Sequence, residues 1–314
     1  MFCGIDLGGT NTVAGLVSED GKLIESVSEK TKSFKSAEDM VKVMSKHIKE
    51  MTEKNRQPLM GIGIGAPCAN YNDGTMVNPM NLFAIKGIIP LVALFKDEFP
   101  KTPVYLTNDA NAAAIGEKIY GAGKELRDFV VITLGTGLGS GFIVNGELVH
   151  GANGMAGEMG HVIIEENGRQ CNCGRKGCLE RYAAAEGIMQ TYAEICKKKN
   201  QEVKCSEVKE VSDLAAKGDE CALETYKYAG EILGAALANM ALVTAPSHII
   251  LFGGIMNAGD LLLNPIRESF ERHLLDTFRN SIIIQRSALP EENIAVLGAA
   301  ALAQHHVFKN KITF

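Results

Sequence analysis

Three cysteines stand close together in the segment CNCGRKGCLE, at positions 171, 173 and 178. The spacing C-x-C-x4-C places three soft ligands on one short loop, and a structural zinc ion needs a fourth ligand to complete its tetrahedron. His161, upstream in GEMGH, is the first candidate for that ligand, and His150 is the alternative. The residues therefore predict a structural zinc site, with reduced thiols on an ordinary loop as the competing interpretation.

Two glycine-rich segments have the composition of phosphate-binding turns, DLGGTN at residues 6–11 and GTGLGSG at residues 135–141. Glycines let a turn approach an anion without a Cβ in the way, and the hydroxyls of Thr10 and Thr136 can bond phosphate oxygens. The carboxylate of Asp6 can hold the hydrated Mg²⁺ that neutralises a triphosphate. Each segment alone is equally compatible with a tight hairpin turn. Neither has the P-loop or Rossmann spacing.

Apolar periodicity places these residues on alternating strands and helices. Asn108 is a good N-cap type, so Asp109 is expected in or just before the first turn of a helix that ends near Tyr120. The expected strands cover residues 2–7, 12–17, 23–28, 59–64, 104–107 and 248–252. The other expected helices cover residues 36–54, 182–199, 206–217, 220–243 and 258–275. Residues 294–308 are expected to form a short strand and a final alanine-rich helix.

An internal comparison indicates a duplication. The segment IDLGGTNTVAGLV at 5–17 aligns without a gap onto ITLGTGLGSGFIV at 132–144, with coinciding apolar positions and with Gly8 on Gly135. Two glycine-turn hairpins of this kind predict two related α/β domains with a nucleotide held in a cleft between them. Chance similarity of glycine turns is the alternative.

Composition narrows the function classes. The 314 residues are 46% hydrophobic, with a formal net charge of -5 and no basic run longer than residues 197–199. We therefore expect a small-molecule partner, with neither nucleic acid nor a membrane surface. The N-terminus lacks the pattern of a signal peptide, so a cytoplasmic location is expected. The five dispersed cysteines are interpreted as ordinary small residues.

Six motifs in order resemble those of the ROK family (repressors, open reading frames and kinases), and within it the bacterial glucokinases. The motifs are DLGGTNT at 6–12, NDANAAAIGE at 108–117, LGTGLGSG at 134–141, GEMGH at 157–161, CNCGRKGCLE at 171–180 and FGG at 252–254. The resemblance implies the actin/hexokinase-like (ribonuclease H-like) α/β fold, with two α/β domains around a central cleft. The expected domains are residues 1–118 joined by the C-terminal helix at about 298–314, and residues 119–297 with the zinc-binding loop 161–178.

The resemblance also implies transfer of the γ-phosphoryl group of Mg-ATP to the 6-hydroxyl of a hexose. Asp109 would be the catalytic base, since a sugar hydroxyl is a poor nucleophile and needs a carboxylate to accept its proton. The implied sugar ligands are Gly65, Asn81, Asn108, Asp109, Glu158, His161 and Glu180. The implied nucleotide ligands are Asp6, Gly8, Gly9, Thr10, Asn11, Gly135, Thr136, Gly137, Gly253 and Gly254. The implied zinc ligands are His161, Cys171, Cys173 and Cys178. A homodimer is expected from the family.

Two departures from the family pattern concern the sugar. Cys68 stands in G-A-P-C where many family glucokinases have G-x-P-G, and a cysteine takes a positive φ less easily than a glycine, so this loop is expected to have a different shape. The tryptophan common after Asn81 is also missing. Glucose is the first choice of substrate. The alternatives are mannose, fructose, allose, N-acetylglucosamine and N-acetylmannosamine.

Two further alternatives change the function or the donor. The family includes sugar-sensing repressors, which carry a helix-turn-helix ahead of the kinase-like part. Here the first phosphate loop begins at Asp6, so a kinase is expected. Polyphosphate could replace ATP as the donor, but the sequence shows no strongly basic groove for a long polyanion.

Overall fold

The computed structural model describes residues 1–79, 82, 87–290 and 294–312. Its strands are β1 Phe2–Leu7, β2 Asn11–Val17, β3 Leu23–Lys30, β4 Gly61–Gly65, β5 Ala69–Asn70, β6 Thr75–Val77, β7 Ile88–Ile89, β8 Val104–Thr107, β9 Phe129–Leu134, β10 Leu138–Val144, β11 Glu147–Leu148, β12 His248–Phe252 and β13 Ile283–Arg286. Its helices are α1 Ala37–Asn55, α2 Leu91–Glu98, α3 Asp109–Ile119, α4 Glu180–Ala183, α5 Ala185–Lys198, α6 Val208–Ala216, α7 Glu220–Thr244, α8 Asp260–His273 and α9 Ile294–Ile312.

Two five-stranded sheets repeat one topology. The first has the order β3-β2-β1-β4-β8 and the second has the order β11-β10-β9-β12-β13. In the first, β1 pairs with β2 antiparallel and with β4 parallel, and β4 pairs with β8 parallel. In the second, β12 is parallel to both β9 and β13. The equivalent strand orders confirm the internal repeat that the aligned glycine-turn segments predict.

Helix α1 forms where the sequence combines an N-cap with an apolar stripe. The Ser36 hydroxyl accepts from the N–H of Asp39, which satisfies one free donor of the first turn. Met40, Met44 and Ile48 then follow at helical spacing and are fully buried in the core of the first sheet. The helix predicted over 36–54 is confirmed.

Helix α9 packs backbone to backbone on the same sheet. A Cβ added to Gly4 would lie 1.9 Å from the carbonyl oxygen of Val296, and one added to Gly63 would lie 1.8 Å from that of Ala299. Buried alanines on the helix complete the close approach. Glycine in β1 and β4 is therefore required so that the alanine-rich helix can lie directly on the strands.

The chain groups into two compact units. One comprises residues 1–127, 141–157 and 288–314, and the other comprises residues 128–140 and 158–287. The domain boundaries expected from the family resemblance, near residues 118 and 298, stay a prediction. Among the described residues, no helix combines the length and the apolar character that crossing a bilayer requires.

Two predictions of secondary structure are wrong in detail. No strand forms at the start of residues 294–308, because the described chain there is already the helix α9. The last strand is instead β13, which pairs with β12. The single helix predicted over 182–199 is two helices, because Ala184 is extended and the N–H of Ala185 donates to the carbonyl of Gly135.

We predict that Gly63→Ala lowers the free energy of unfolding by about 3 kcal/mol, because the added methyl group would overlap backbone atoms that cannot move independently. Urea denaturation measures the change. Gly9→Ala is the matched control, since no atom beyond the two adjacent residues lies within 4 Å of its added Cβ. Equal stabilities of the two variants would contradict the direct packing of α9 on β4.

Candidate functional site

The carboxyl ends of three parallel strands bring predicted site residues to one edge of the first sheet. Asp6 on β1 pairs with Gly65 on β4, and Gly65 pairs with Thr107 on β8. Asn108 and Asp109 directly follow Thr107. Ligands of open α/β sheets commonly bind at this kind of edge. The structure therefore brings Asp6, Gly65, Asn108 and Asp109 together.

Asn108 and Asp109 open helix α3 as the sequence predicts. The side-chain oxygen of Asn108 accepts from the N–H of Asn111 at 2.6 Å, which makes Asn108 the N-cap. Asp109 Oδ1 accepts from the N–H of Ala110 at 2.9 Å, and the Asp109 side chain is exposed. A helix N-terminus favours negative charge, so an exposed carboxylate is well placed here to accept a proton from a ligand.

The electrostatics of this edge are set by two neighbouring carboxyl groups. Burial, and then the negative charge of Asp109, raise the pKa of Asp6 to about 6. Gly65 makes room beside them, because a Cβ at this position would lie 3.3 Å from the Cβ of Ala112 and 3.8 Å from the Cα of Asp109. A cation at Asp6 would relieve the repulsion between the two carboxylates.

The first glycine-rich turn is exposed and held from below. The N–H of Gly8 donates to the carbonyl of Asn11 at 3.0 Å, and the Thr31 hydroxyl donates to the carbonyl of Gly8 at 2.6 Å. Gly9 and Thr10 are exposed. The turn therefore presents its tip to solvent on a fixed base, as a phosphate-binding turn requires.

The second glycine-rich turn has equivalent support. The N–H of Gly135 donates to the carbonyl of Gly137 at 3.0 Å, and the N–H of Ala185 donates to the carbonyl of Gly135 at 3.0 Å. Thr136 and Gly137 are exposed. The turn is thus fixed by helix α5 while its tip stays open.

The FGG segment begins at the last residue of β12 and lies against the end of the neighbouring strand β9. Gly253 has φ +114°, and a Cβ there would lie 2.2 Å from the carbonyl oxygen of Leu134. Apart from the two adjacent residues, no atom lies within 4 Å of a Cβ added to Gly254. The structure thus brings Gly253 close to the second glycine-rich turn and leaves space beside Gly254.

The three cysteines of the loop and His161 form one cluster. Their ligand atoms all lie within 4.8 Å of one another. The Cys173 and Cys178 sulfurs are 3.6 Å apart, and Cys171 Sγ lies 3.8 Å from His161 Nδ1. Ligand atoms bound to one tetrahedral zinc with Zn–S bonds of about 2.3 Å stand about 3.8 Å apart. The residues therefore fit a Cys₃His zinc site.

His150, the alternative fourth zinc ligand, has a different environment. The His150 ring stacks on the Tyr71 ring with 3.4 Å between the centroids. His161, in contrast, turns Nδ1 toward the cysteines, while its Nε2 lies 4.0 Å from Glu158 Oε2. One imidazole nitrogen can thus bind a metal while the other faces a carboxylate and a possible ligand.

Glu180 joins the cysteine cluster to the glycine-rich turn. The Cys171 thiol donates to Glu180 Oε1 at 3.0 Å, and the same oxygen lies 3.7 Å from His161 Nδ1. The other carboxylate oxygen, Oε2, lies 3.4 Å from where a Cβ of Gly137 would be. Burial, and then the contact with Glu180, raise the pKa of the Cys171 thiol to about 12. If a metal bound the Cys171 thiolate, the thiol proton would be released to solvent, and Glu180 would be free to accept a hydrogen bond from another donor.

Buried contacts of Met159 and Gly160, which no motif predicts, position Glu158 and His161. A Cβ on Gly160 would lie 2.1 Å from the carbonyl oxygen of Leu138, so this segment rests on β10. The Met159 N–H donates to the buried Ser140 hydroxyl at 3.2 Å. Gly160 of GEMGH is the one sequence signal for this close approach.

Asn81 and Cys68 are the last two residues that the sequence predicts near the sugar. Asn81 lies outside the described residues. Cys68 has φ +56° and is exposed, so the cysteine adopts, against the expectation from its side chain, the left-handed conformation in which a glycine is usually found. Its carbonyl accepts from the N–H of Val77 at 3.0 Å, which helps to hold the turn.

Comparison with known proteins agrees with the motifs. The ROK family model matches residues 2–306. Glucokinase of Thermotoga maritima is 34% identical over 315 residues, which cover 97% of each chain. The structure of a ROK family glucokinase from Streptomyces griseus in complex with glucose and AMPPNP matches with a TM-score of 0.80 at 31% identity, over 97% of this chain and 99% of that chain. A xylose repressor of Bacillus spizizenii is 29% identical over 96% of this chain and 77% of its own length.

This chain therefore belongs to the ROK family. Its fold is the actin/hexokinase-like α/β fold of ROK structures, and the fold class predicted from the sequence is confirmed.

We predict that the purified protein contains stoichiometric zinc and that Cys173→Ser loses it, because a tetrahedral site with one weak ligand binds the metal much less tightly. The melting temperature should fall by several degrees, and chelation of the wild type should have the same effect. Metal analysis by atomic emission and thermal denaturation measure both. Cys68→Ser, another exposed cysteine outside the cluster, should keep the metal. Zinc retained in Cys173→Ser would exclude the site.

Asp6→Asn is predicted to stabilise the protein at neutral pH. The folded pKa of Asp6, about 6, exceeds its ordinary value of 3.8. The folded state therefore binds more protons between these values, and the contribution of Asp6 to the unfolding free energy is lost as pH rises through this window. The variant should gain on the order of 1–2 kcal/mol at neutral pH, and the gain should shrink as pH falls toward 4.

Urea denaturation at a series of pH values measures this difference. Asp20→Asn is the opposite control, because the Ser18 hydroxyl lowers the pKa of the exposed Asp20 and its charge stabilises the fold above its unfolded pKa. The two substitutions should change stability in opposite directions at neutral pH. A change of the same sign in both would refute the raised pKa of Asp6.

Proposed function

We propose that this protein is an ATP-dependent hexose kinase that transfers the γ-phosphoryl group to the 6-hydroxyl of glucose. The observation that carries the proposal is the exposed carboxylate of Asp109 at the first residue of helix α3, on the strand edge that also holds Asp6. The family membership and the glucokinase relatives support the same reaction.

The proposed step at Asp109 is a proton transfer during phosphoryl transfer. The hexose 6-hydroxyl gives its proton to the Asp109 carboxylate while its oxygen forms a bond to the γ-phosphorus. The bond between that phosphorus and the β,γ-bridging oxygen breaks, and ADP leaves with the electron pair. The helix N-terminus keeps a negative charge favourable at Asp109 before the transfer. Asn108, as N-cap, fixes the direction of this helix start.

The proposed nucleotide ligands are the glycine-rich segments. In the first unit these are Asp6, Gly8, Gly9, Thr10 and Asn11, and in the second unit they are Gly135, Thr136, Gly137, Gly253 and Gly254. Mg²⁺ bound with ATP would neutralise phosphate charge during the transfer. Asp6 is the residue that would hold the water shell of Mg²⁺. Its carboxylate lies near that of Asp109, and two neighbouring carboxylates favour a bound cation.

The proposed sugar ligands of the second unit are Glu158, His161 and Glu180. Glu158 is exposed, whereas His161 and Glu180 are partly buried against the cysteine cluster. Zinc held by the Cys₃His set would be structural, because all four tetrahedral positions are protein atoms. It would fix the ring of His161 and leave its Nε2 free to bond a sugar hydroxyl. Gly65, Asn81 and Asn108 are the remaining proposed sugar ligands.

The choice of glucose rests on the named relatives and not on the geometry of the site. Epimers differ in where a few hydrogen bonds fall, and one unmatched buried polar group can decide between them. Mannose, fructose, allose and the N-acetylhexosamines are therefore the alternative substrates. A sugar-sensing regulator is the second candidate function, because a xylose repressor is among the relatives. We also propose a cytoplasmic homodimer.

ADP release with Mg-ATP against a panel of hexoses and N-acetylhexosamines tests the reaction. Glucose should give the highest kcat/KM, and phosphorus NMR of the product should show a 6-phosphate. If another sugar has the highest kcat/KM, the kinase stands and glucose is wrong. If no sugar raises ADP release, the same panel is repeated with polyphosphate, and a hexose that binds without turnover would indicate a sensor.

Asp109→Asn is predicted to lower kcat by about 10²–10⁴, because the amide cannot accept the hydroxyl proton. The rise in melting temperature that saturating hexose causes should be retained. Steady-state kinetics and thermal denaturation measure the two effects. Asp20→Asn, an exposed aspartate of the same unit, should keep wild-type turnover. Wild-type kcat in Asp109→Asn would remove Asp109 from the base role.

A further inference from the structure

The break between helices α4 and α5 leaves the carbonyl of Arg181 without its helical donor. Helix α4 has four residues and begins with Glu180. If the helix continued, the carbonyl of Arg181 would accept from the N–H of Ala185. That N–H donates to the carbonyl of Gly135 instead, at 3.0 Å. The break thus supplies a hydrogen bond to the second glycine-rich turn. The carbonyl of Arg181 needs another donor in its place.

The guanidinium of Arg169 supplies that donor. Its Nη1 donates to the carbonyls of Arg181 at 2.9 Å and Gly187 at 3.0 Å. Its Nη2 donates to the Thr191 hydroxyl at 2.9 Å and to Glu194 Oε2 at 2.7 Å. The Arg169 side chain is 10% exposed. One planar group therefore spans the break and fixes α4 against α5.

The backbone of Arg169 belongs to the base of the cysteine loop. Its N–H donates to the Tyr182 hydroxyl at 2.9 Å, and its carbonyl accepts from the N–H of Gly177 at 2.8 Å. The guanidinium carbon lies 4.7 Å from the centroid of the Tyr182 ring. The residue thus connects the loop that carries Cys171 and Cys178 to the helix that carries Glu180, through protein contacts alone.

We propose that Arg169 is a positioning residue for Glu180. Its guanidinium holds the α4–α5 break, so that the Glu180 carboxylate stays between the cysteine cluster and Gly137. The four acceptors of its guanidinium are all protein atoms. The inference rests on the proposed function of Glu180 as a sugar ligand. Lysine cannot replace the arginine, because an ammonium is a point donor that does not match four acceptors arranged around a planar fork.

The outer ion pair contributes little to this role. Glu194 is 48% exposed, and an ion pair at such a position adds little free energy because water screens it. The two backbone carbonyls and the buried Thr191 hydroxyl lie on the inner side of the guanidinium. Glu194→Gln should therefore leave hexose binding unchanged.

The test compares Arg169→Lys with Arg279→Lys, a matched change at a half-exposed arginine that pairs with Asp276. Arg169→Lys should raise the KM for hexose about tenfold, as is typical when the support of a ligand is removed. The KM for ATP should rise less than the KM for hexose, because the bond from Ala185 to Gly135 is made by the backbone, and the zinc content should stay at the wild-type value. The hexose concentration needed to raise the melting temperature should increase by the same factor. Arg279→Lys should match the wild type in every measurement.

An unchanged KM for hexose in Arg169→Lys would overturn the proposal. Equal increases in both KM values would also overturn it, because they would indicate general disorder. If Arg169→Lys does not fold, Thr191→Val, which removes one acceptor, is measured in the same way and a wild-type hexose KM overturns the proposal. If the wild type releases no ADP with any hexose, the kinase proposal fails, and hexose-dependent melting still tests the role of Arg169. A wild type that binds no hexose refutes both.

Discussion

Four ligand atoms of the second unit lie within 4.8 Å of one another, and His161 and Glu180 are both held through them. Three of them are cysteine sulfurs on a loop rich in polar residues and glycines, which has little apolar surface with which to order itself. The fourth is Nδ1 of His161, and directing this nitrogen inward turns Nε2 toward Glu158. Glu180 contacts the same cluster through Cys171. A metal bound there would order two proposed sugar ligands at once.

Close backbone approach is the second constraint, and glycines provide it in each unit. In the first unit, Gly63 lets the alanine-rich helix α9 lie directly on the sheet. In the second unit, Gly160 rests on Leu138 and Gly253 rests on Leu134. These contacts leave no room for a side chain, so the strand ends and the segments that carry proposed ligands keep fixed relative positions.

Features determined by neighbouring residues could be predicted from the sequence. The N-cap at Asn108 and the helix that begins at Asp109 follow from residue types a few positions apart, and the structure confirms both. The cysteine cluster follows from its spacing, the family resemblance selects His161 over His150, and the structure places His161 beside the cysteines and His150 on Tyr71. The repeated strand order follows from the alignment of two glycine-turn segments.

Features determined by distant contacts could not be predicted. Ala184 ends α4 because the next N–H bonds Gly135, far away in the sequence, and no local signal marks this break. In the sequence, Arg169 is an ordinary charged residue of a loop. Only the structure shows that its guanidinium donates to four acceptors. The raised pKa of Asp6 depends likewise on its burial in the fold and then on the charge of Asp109, which follows strand β8. Local patterns thus predict the ligands, whereas tertiary contacts decide how they are held.

The most direct test of the proposed metal-organised sugar site is X-ray absorption at the zinc edge, recorded with and without saturating glucose. We expect three sulfur ligands at about 2.3 Å and one nitrogen ligand at about 2.0 Å, unchanged when the sugar binds. Such a spectrum would assign the zinc to the Cys₃His set and give it a structural role. A shell dominated by oxygen, or a sugar oxygen entering the shell, would contradict that role.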